Sequence, residues 1–303
     1  MTRSALSRFF IVGPTASGKS DLAIQIATLC DAEIVGADAF QIYAGLDALT
    51  AKPPKEHLAR VPHHLIGEIA LEESCDVALY LKKANQRIAD IQKRGKTALI
   101  VGGTGLYVKA LTHGLADLPP ADNDLRQTLD ARPIATLQSQ LLDLDPLAHS
   151  RIDLKNPRRL IRAIEVCILT GRPFSSFQTQ WDTTPADATG IFLHPSRETL
   201  HSRINSRTDK MFEQGIEEEI RGVSAISATA SQTLGFSLIQ DLIAGKSTRQ
   251  DCIDLIKTAT RQYAKRQLTW FARDSHFERV DHEEAAGFEA VAKRVAAQIS
   301  YSD

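Results

Sequence analysis

The sequence predicts an α/β fold in which a parallel sheet carries flanking helices and a small helical insertion interrupts the chain. Three features predict it. Short apolar runs at 9–12, 34–35, 97–101 and 191–193 alternate with stretches of helical periodicity, the pattern of parallel strands joined by crossover helices. The runs at 9–12 and 97–101 lead directly into glycine-rich loops. Residues 114–154 break the alternation, with Pro119-Pro120, Asp122 and Asp124 followed by helical pieces around 125–144. The expected organisation is a core of 1–113 and 155–303 with an insertion domain at 114–154.

The elements follow in order. Phe9-Phe10-Ile11-Val12 reads as a buried strand, after which Leu22, Ile26, Leu29 and Cys30 recur at helical spacing. Ile34-Val35 is a second strand, ending near Asp38. A helix over 76–94 brings Val77, Leu81, Ile88 and Ile91 toward one face. Residues 97–101 form the third strand. Asn156-Pro157 opens another helix, Asn as N-cap and Pro at the first helical position. Its buried stripe is Leu160, Ile164, Cys167 and Ile168, and Gly171 and Pro173 end it. Ile191-Phe192-Leu193 is a further strand. Long helices are expected over 197–222 and 248–273, and Phe288, Val291, Val295 and Ile299 mark a last amphipathic one.

Composition narrows the class. Of 303 residues, 43% are hydrophobic and 24% charged, ordinary for a globular chain. The net charge of −1 excludes a uniformly basic nucleic-acid binder but leaves room for a local basic groove. Cys30, Cys75, Cys167 and Cys252 form no C-x-x-C pair, which fits free thiols in a reducing compartment. No apolar run is long enough for a membrane span. A cytoplasmic monomer is expected.

The first glycine loop carries the strongest chemical signal. Gly13-Pro14-Thr15-Ala16-Ser17-Gly18-Lys19-Ser20 fits the phosphate-loop pattern G-x-x-x-x-G-K-[ST], with a strand before it and a helix after it. Its glycines let backbone N–H groups turn inward at phosphate oxygens, and the loop feeds the positive end of a helix. Lys19 supplies a point charge to the terminal phosphates, and the Ser20 hydroxyl is a ligand for Mg²⁺. The fold expectation thereby sharpens to a P-loop NTPase-like parallel sheet. The motif says polyphosphate and does not choose among kinase, ATPase and transferase.

Ligands of such sheets bind at the carboxyl ends of the strands, so the loops after Val12, Val35 and Val101 should meet at one cleft. Asp38 lies in the second loop, a candidate to face the bound phosphates, with a helix N-cap or a Mg²⁺ ligand as plainer readings. Gly102-Gly103-Thr104-Gly105 fills the third, where glycines permit close approach to a ligand or simply make a turn. Basic side chains gather at Arg151, Lys155, Arg158, Arg159 and Arg162, and at Lys257, Arg261, Lys265, Arg266 and Arg273. They read as a solvated face or, beside a phosphate site, as contacts to a nucleic-acid backbone. His63 and His64 read as local packing and turn hydrogen bonds rather than a metal site.

These residues together carry a resemblance. GPTASGKS, ADAFQIY with TAKP at 50–53, PHHLIGE at 62–68, VGGTGLYVKAL at 101–111, RIDLKNPRRLIRAIEVCILTGRP at 151–173, RINSRTDKMFEQGIEEEIR at 203–221 and ATRQYAKRQLTWFARD at 259–274 resemble the tRNA dimethylallyltransferase family over nearly the whole chain. The resemblance implies transfer of a dimethylallyl group from dimethylallyl diphosphate to N6 of an adenosine beside the anticodon, in the anticodon stem-loop of tRNA. It implies that residues 13–20 hold the diphosphate rather than ATP, with Mg²⁺ on Ser20. Asp38 is then the general base, and Lys19 and Arg207 neutralise the leaving group, with Arg203 nearby. The implied tRNA contacts are Asp38, Ala39, Phe40, Gln41, Thr104, Arg126, Arg158, Arg159, Leu160, Ile161 and Arg162. The chain departs from the family pattern at Ala39-Phe40, where Ser-Met is usual, at Leu49, where glycine is usual, and in a shorter insertion interrupted by Pro133. Three alternatives stay open: prenyl transfer to a free adenine nucleotide, which transfer to AMP would reveal; a P-loop kinase or NTPase, which would consume ATP; and a non-catalytic RNA-binding module.

Overall fold

The computed structural model describes residues 7–177, 188–273, 277–281 and 287–300. Six strands form one sheet: β1 (Arg8–Val12), β2 (Glu33–Gly36), β3 (His63–His64), β4 (Ala98–Gly102), β5 (Gly190–Leu193) and β6 (Glu278–Val280). Their order is β3-β2-β4-β1-β5-β6, with every pair parallel. This is the P-loop NTPase-like sheet expected from the sequence. The strands β3 and β6 are additions that the sequence reading lacked. Each is too short to show a pattern of its own, and each gains its partners at a sheet edge.

Side-chain alternation places the core on both faces. Phe10, Val12, Val35, Ile100 and Phe192 pack on one side with Tyr80, Ile88, Ile91 and Tyr107. Phe9, Ile11, Ile34, Leu99, Val101, Ile191 and Leu193 pack on the other with Leu22, Ile26, Val291, Val295 and Ile299. The helix Lys19–Cys30 and the helix Phe288–Ser300 cover that second face. Leu29, at helical spacing with Leu22 and Ile26, is 54% exposed, because the helix buries Leu22, Ala23, Ile26 and Ala27.

The chain divides into two compact units, Met1–Thr112 with Ala186–Asp303, and His113–Pro185. This division differs from the boundary expected at 154. The helix Pro157–Thr170 belongs to the smaller unit because its stripe of Leu160, Ile161, Ala163 and Ile164 packs on Leu129, Leu137, Leu141 and Ala148. The helix begins and ends as expected: the Asn156 side chain accepts from the Arg159 N–H, and Gly171 caps the end in the left-handed region. Ile168, read as buried, is 45% exposed.

The single long helix expected over 197–222 is two, Arg197–Glu213 and Ile216–Arg221, broken where Gly215 takes φ 79°. The helix Arg249–Ala272 runs as expected. All four cysteines are free. No helix among the described residues is long and apolar enough to cross a membrane.

Candidate active site

The loop 13–18 sits between β1 and the helix Lys19–Cys30, where a parallel sheet opens its ligand crevice. Three of its residues have positive φ, Gly13 at 155°, Ala16 at 63° and Gly18 at 87°. Gly18 is fixed by space as well as by angle: a Cβ there would lie 2.3 Å from the Phe288 ring. Ala16 carries its strain without a glycine's freedom, as residues at ligand clamps do. The Lys19 Nζ donates to the Pro14 carbonyl at 2.6 Å. Burial lowers the Lys19 pKa to about 8; Asp38 pulls it back up and the Arg207 charge pushes it further down.

Two arginines of the helix Arg197–Glu213 lean on the same loop. Arg203 Nη1 donates to the Ser17 carbonyl at 3.2 Å, and Arg207 Nη1 donates to the Thr15 hydroxyl at 2.7 Å. The Ser17 hydroxyl and the Arg207 Nε are buried and have no hydrogen-bond partner among the described residues. Polar atoms left so in a native interior call for an explanation, and an anion in the loop supplies one. Burial also lowers the Arg207 pKa from its ordinary value, with the Asp38 charge opposing.

Asp38 follows β2 and is held by its own turn. Its Oδ1 accepts from the Phe40 and Gln41 N–H groups at 2.9 and 3.2 Å. The loop is latched to the one after β4, where Thr104 Oγ1 accepts from the Ala39 N–H at 2.9 Å and the Thr104 N–H donates to the Ala37 carbonyl at 3.1 Å. Two of the three strand-end loops expected to meet, those after β2 and β4, are thus joined directly.

These groups border one pocket of the larger unit. Its lining is Thr15, Asp38 and Arg207 on the polar side, and Phe40, Leu49, Met211, Leu234 and Ile256 on the apolar side, with Thr50, Thr233, Thr260 and Tyr263 completing it. The departures Phe40 and Leu49 thus both face the pocket, and the Phe40 ring lies 6.0 Å from the Tyr263 ring. Burial raises the Tyr263 pKa and the Asp38 charge raises it further, so the phenol stays neutral.

Other expected contact residues are placed differently. The Gln41 amide is engaged within the protein, donating to the Thr50 and Ala51 carbonyls at 3.0 and 3.1 Å. Leu160, read as part of the buried stripe, and its neighbour Ile161 are 0% and 7% exposed and pack within the smaller unit. Arg126 and Arg162 flank the fully buried Glu165. Arg126 Nε and Nη2 bond its carboxylate at 2.8 and 2.9 Å, while Arg162 bonds it from Nη1 and the Pro119 carbonyl from Nη2. Arg158 and Arg159 are exposed. In the second basic run, Lys257 pairs with Asp209 at 2.6 Å and Arg261 donates to Asn205 at 2.6 Å. His63 Nδ1 meets the Val61 carbonyl and His64 Nε2 meets Glu33, the local packing expected of them.

The sequence reading overlooked Gln267 and Tyr263. A signal was available. The buried stripe Cys252, Ile256, Thr260, Ala264, Gln267, Phe271 steps by three or four, and a glutamine at a core step of a helix needs partners.

Fold and site together define a P-loop NTPase-like α/β protein in which the glycine loop, a carboxylate and an apolar wall border one pocket. A family model described as IPP transferase matches residues 41–274. The chain is 41% identical over 269 residues to tRNA dimethylallyltransferase 1 of Citrifermentans bemidjiense, covering 87% of this chain and 88% of that protein. It is 40% identical over 286 residues to the tRNA dimethylallyltransferase of Geobacter metallireducens, covering 91% and 93%. The crystal structure of tRNA delta(2)-isopentenylpyrophosphate transferase from Staphylococcus epidermidis matches with a TM-score of 0.69 and 30% identity over 98% of this chain and 99% of that one. A eukaryotic dimethylallyltransferase acting on tRNA matches with a TM-score of 0.80 and 25% identity over 97% and 78%. The chain belongs to the IPP transferase family.

Proposed function

We propose that this chain transfers a dimethylallyl group from dimethylallyl diphosphate to N6 of an adenosine next to the anticodon of tRNA, releasing diphosphate. One observation carries the reading: Thr15 of the phosphate loop, Arg207 and the Asp38 carboxylate border the same pocket as a wall of five apolar side chains. A kinase for a small polar acceptor has no need of that wall, whereas a five-carbon isoprenoid does.

The chemistry follows from the layout. The N6 lone pair forms a bond to C1 of the dimethylallyl group while the C1–O bond breaks and its electron pair leaves with the diphosphate. The N6 proton passes to Asp38, whose second oxygen is not engaged by its turn. A positioned base of this kind contributes roughly 10²–10⁴ in rate. Lys19 and Arg207 oppose the charge that grows on the leaving oxygens, acting from fixed positions in a partly dry site. Phe40, Leu49, Met211, Leu234 and Ile256 hold the isoprenoid and keep water from the electrophilic carbon.

The residues fit Mg²⁺ as a companion of the diphosphate. Ser20 offers a hard hydroxyl oxygen in the first turn after the loop, and no group of three or more His, Cys, Asp or Glu side chains forms a metal cage among the described residues. Such a donor set suits an ion that keeps its waters and takes substrate phosphates as ligands. When bound, it would supply further neutralisation of the diphosphate. Arg158 and Arg159 of the smaller unit are available to tRNA phosphates.

The test is transfer from labelled dimethylallyl diphosphate to unmodified tRNA and to AMP, with and without Mg²⁺. Label on tRNA alone is expected. Label on AMP alone, or ATP consumption without isoprenoid transfer, would replace the reading.

A further inference from the structure

The helix Arg249–Ala272 places one buried amide between two loops of the site. Gln267 is 4% exposed. Its Oε1 accepts from the Thr15 N–H of the phosphate loop at 2.8 Å, and its Nε2 donates to the Gly103 carbonyl at 2.9 Å. The partners are 252 and 164 residues away in the chain, so this is a tertiary bridge. The fit leaves no slack. A Cβ on Gly103 would lie 2.2 Å from Nε2 and 2.9 Å from the Gly13 carbonyl, so only glycine lets the two loops and the amide close up.

What the bridge joins matters. Next to Gly103 is Thr104, whose backbone and hydroxyl grip Ala37 and Ala39 on either side of Asp38. On the other side, the Thr15 hydroxyl receives Arg207. Each loop is otherwise anchored by its own bonds: Lys19 to Pro14 and Arg203 to Ser17 for the phosphate loop, and the Asp38 turn for the other. A glutamine is well suited to bind a donor on one loop and an acceptor on the other, because a planar amide presents one of each at a fixed spacing.

From this geometry we infer that Gln267 is a positioning residue, which sets the phosphate loop in register with the loop that carries Asp38 and so fixes the distance from leaving group to base. The inference rests on the proposed reaction. The amide touches neither substrate and acts through Thr15 and Gly103. Removing it leaves each loop competent by itself and lets the two drift apart. A misplacement of about 1 Å between reacting groups can lower a rate by about 10²-fold.

The experiment compares the native chain with Gln267→Met, which keeps length and volume and loses both hydrogen bonds, and Gln267→Glu, which keeps the acceptor and loses the donor. Three quantities are read: kcat for transfer to tRNA, KM for dimethylallyl diphosphate, and stoichiometry and affinity for inorganic pyrophosphate by calorimetry. The expected result is a fall in kcat of about 100-fold in both variants, with KM and pyrophosphate affinity within about threefold of native and full binding stoichiometry. A kcat within threefold of native overturns the inference. So does loss of pyrophosphate binding in both variants, which would place Gln267 in the fold rather than in the alignment. If the native chain binds pyrophosphate stoichiometrically yet transfers nothing, the proposed reaction is what fails. The bridge is then tested as loop alignment by hydrogen exchange at Thr15, with faster exchange in Gln267→Met supporting it and unchanged exchange overturning it.

Discussion

Arg207 donates from Nη1 to the Thr15 hydroxyl at 2.7 Å, and its Nε is buried with no protein partner among the described residues. The guanidinium is thus aimed by the loop it serves and keeps a donor for an anion. Replacing it with alanine should weaken pyrophosphate binding by at least about tenfold, since a hydrogen bond to a charged group contributes about 1.5–3 kcal/mol. Arg207→Lys should recover only part, because an ammonium cannot bond Thr15 and an oxyanion with a fixed fork. Calorimetric titration with pyrophosphate checks both. Native affinity in Arg207→Ala would remove the residue from the diphosphate site.

Asp38 permits a clean separation of base from scaffold. Its Oδ1 caps the Phe40 and Gln41 N–H groups, and an asparagine Oδ1 can do the same. Asp38→Asn should therefore fold normally and bind dimethylallyl diphosphate with little change in KM, while kcat for tRNA falls by at least about 10²-fold. Steady-state kinetics decide it. A variant within a few-fold of native kcat would mean that the proton goes elsewhere.

Lys19 makes a prediction about pH. Its folded pKa is lowered to about 8 from 10.5, by burial first and by the Arg207 charge, with Asp38 opposing. Between these two values the unfolded chain holds a proton that the native chain has released, so Lys19 makes stability rise with pH across that window. Below pH 8 both states are protonated and the full penalty of the buried ammonium is present. Lys19→Met should accordingly raise Tm at pH 7, and the gain should shrink toward pH 10. The same variant should lose pyrophosphate affinity, and native affinity should decline as pH rises through about 8. A Tm difference that does not change with pH would contradict the burial argument.

The fold was legible in the sequence because its signals are local. Four of the six strands among the described residues announce themselves as apolar runs, and the loop at 13–20 is marked by its glycines and the Lys19-Ser20 pair that follows them. What stayed hidden depends on long-range partners. His63-His64 becomes a strand only beside β2, and Gln267 acquires its role from Thr15 and Gly103, far away in the chain. The arginines at 126 and 162 looked alike to 158 and 159 by charge. Only the buried Glu165 between the first two separates structural cations from exposed ones.

That carboxylate is a stability prediction in itself. Burial raises the Glu165 pKa, and hydrogen bonds from Arg126, Arg162 and the Asp122 N–H outweigh it, so the net shift is downward. The stability it contributes is present above the unfolded carboxylate pKa and is lost as pH falls through the lower folded value. Glu165→Ala leaves Arg126 and Arg162, whose side chains are 40% and 29% exposed, without their shared acceptor and should destabilise the smaller unit by about 1–3 kcal/mol. Urea unfolding at neutral pH measures it, and a change below about 1 kcal/mol would show the arginines to be solvated instead.

The exposed pair Arg158 and Arg159 carries the remaining prediction. Both stand in the first turn of the helix Pro157–Thr170, outside the Glu165 network. Neutralising a phosphate releases condensed counterions, so each contact adds roughly 0.7–0.9 to the slope of log affinity against log salt. The double variant Arg158→Ala/Arg159→Ala should flatten that slope for tRNA by roughly 1.5 if both meet phosphates. Pyrophosphate affinity should not move, because the diphosphate groups belong to the larger unit. Arg162→Ala would be a poor substitute for this test, since it breaks the bond to Glu165 and mixes folding with binding. Filter binding across a salt series settles the matter: an unaltered slope means that these two side chains face only water.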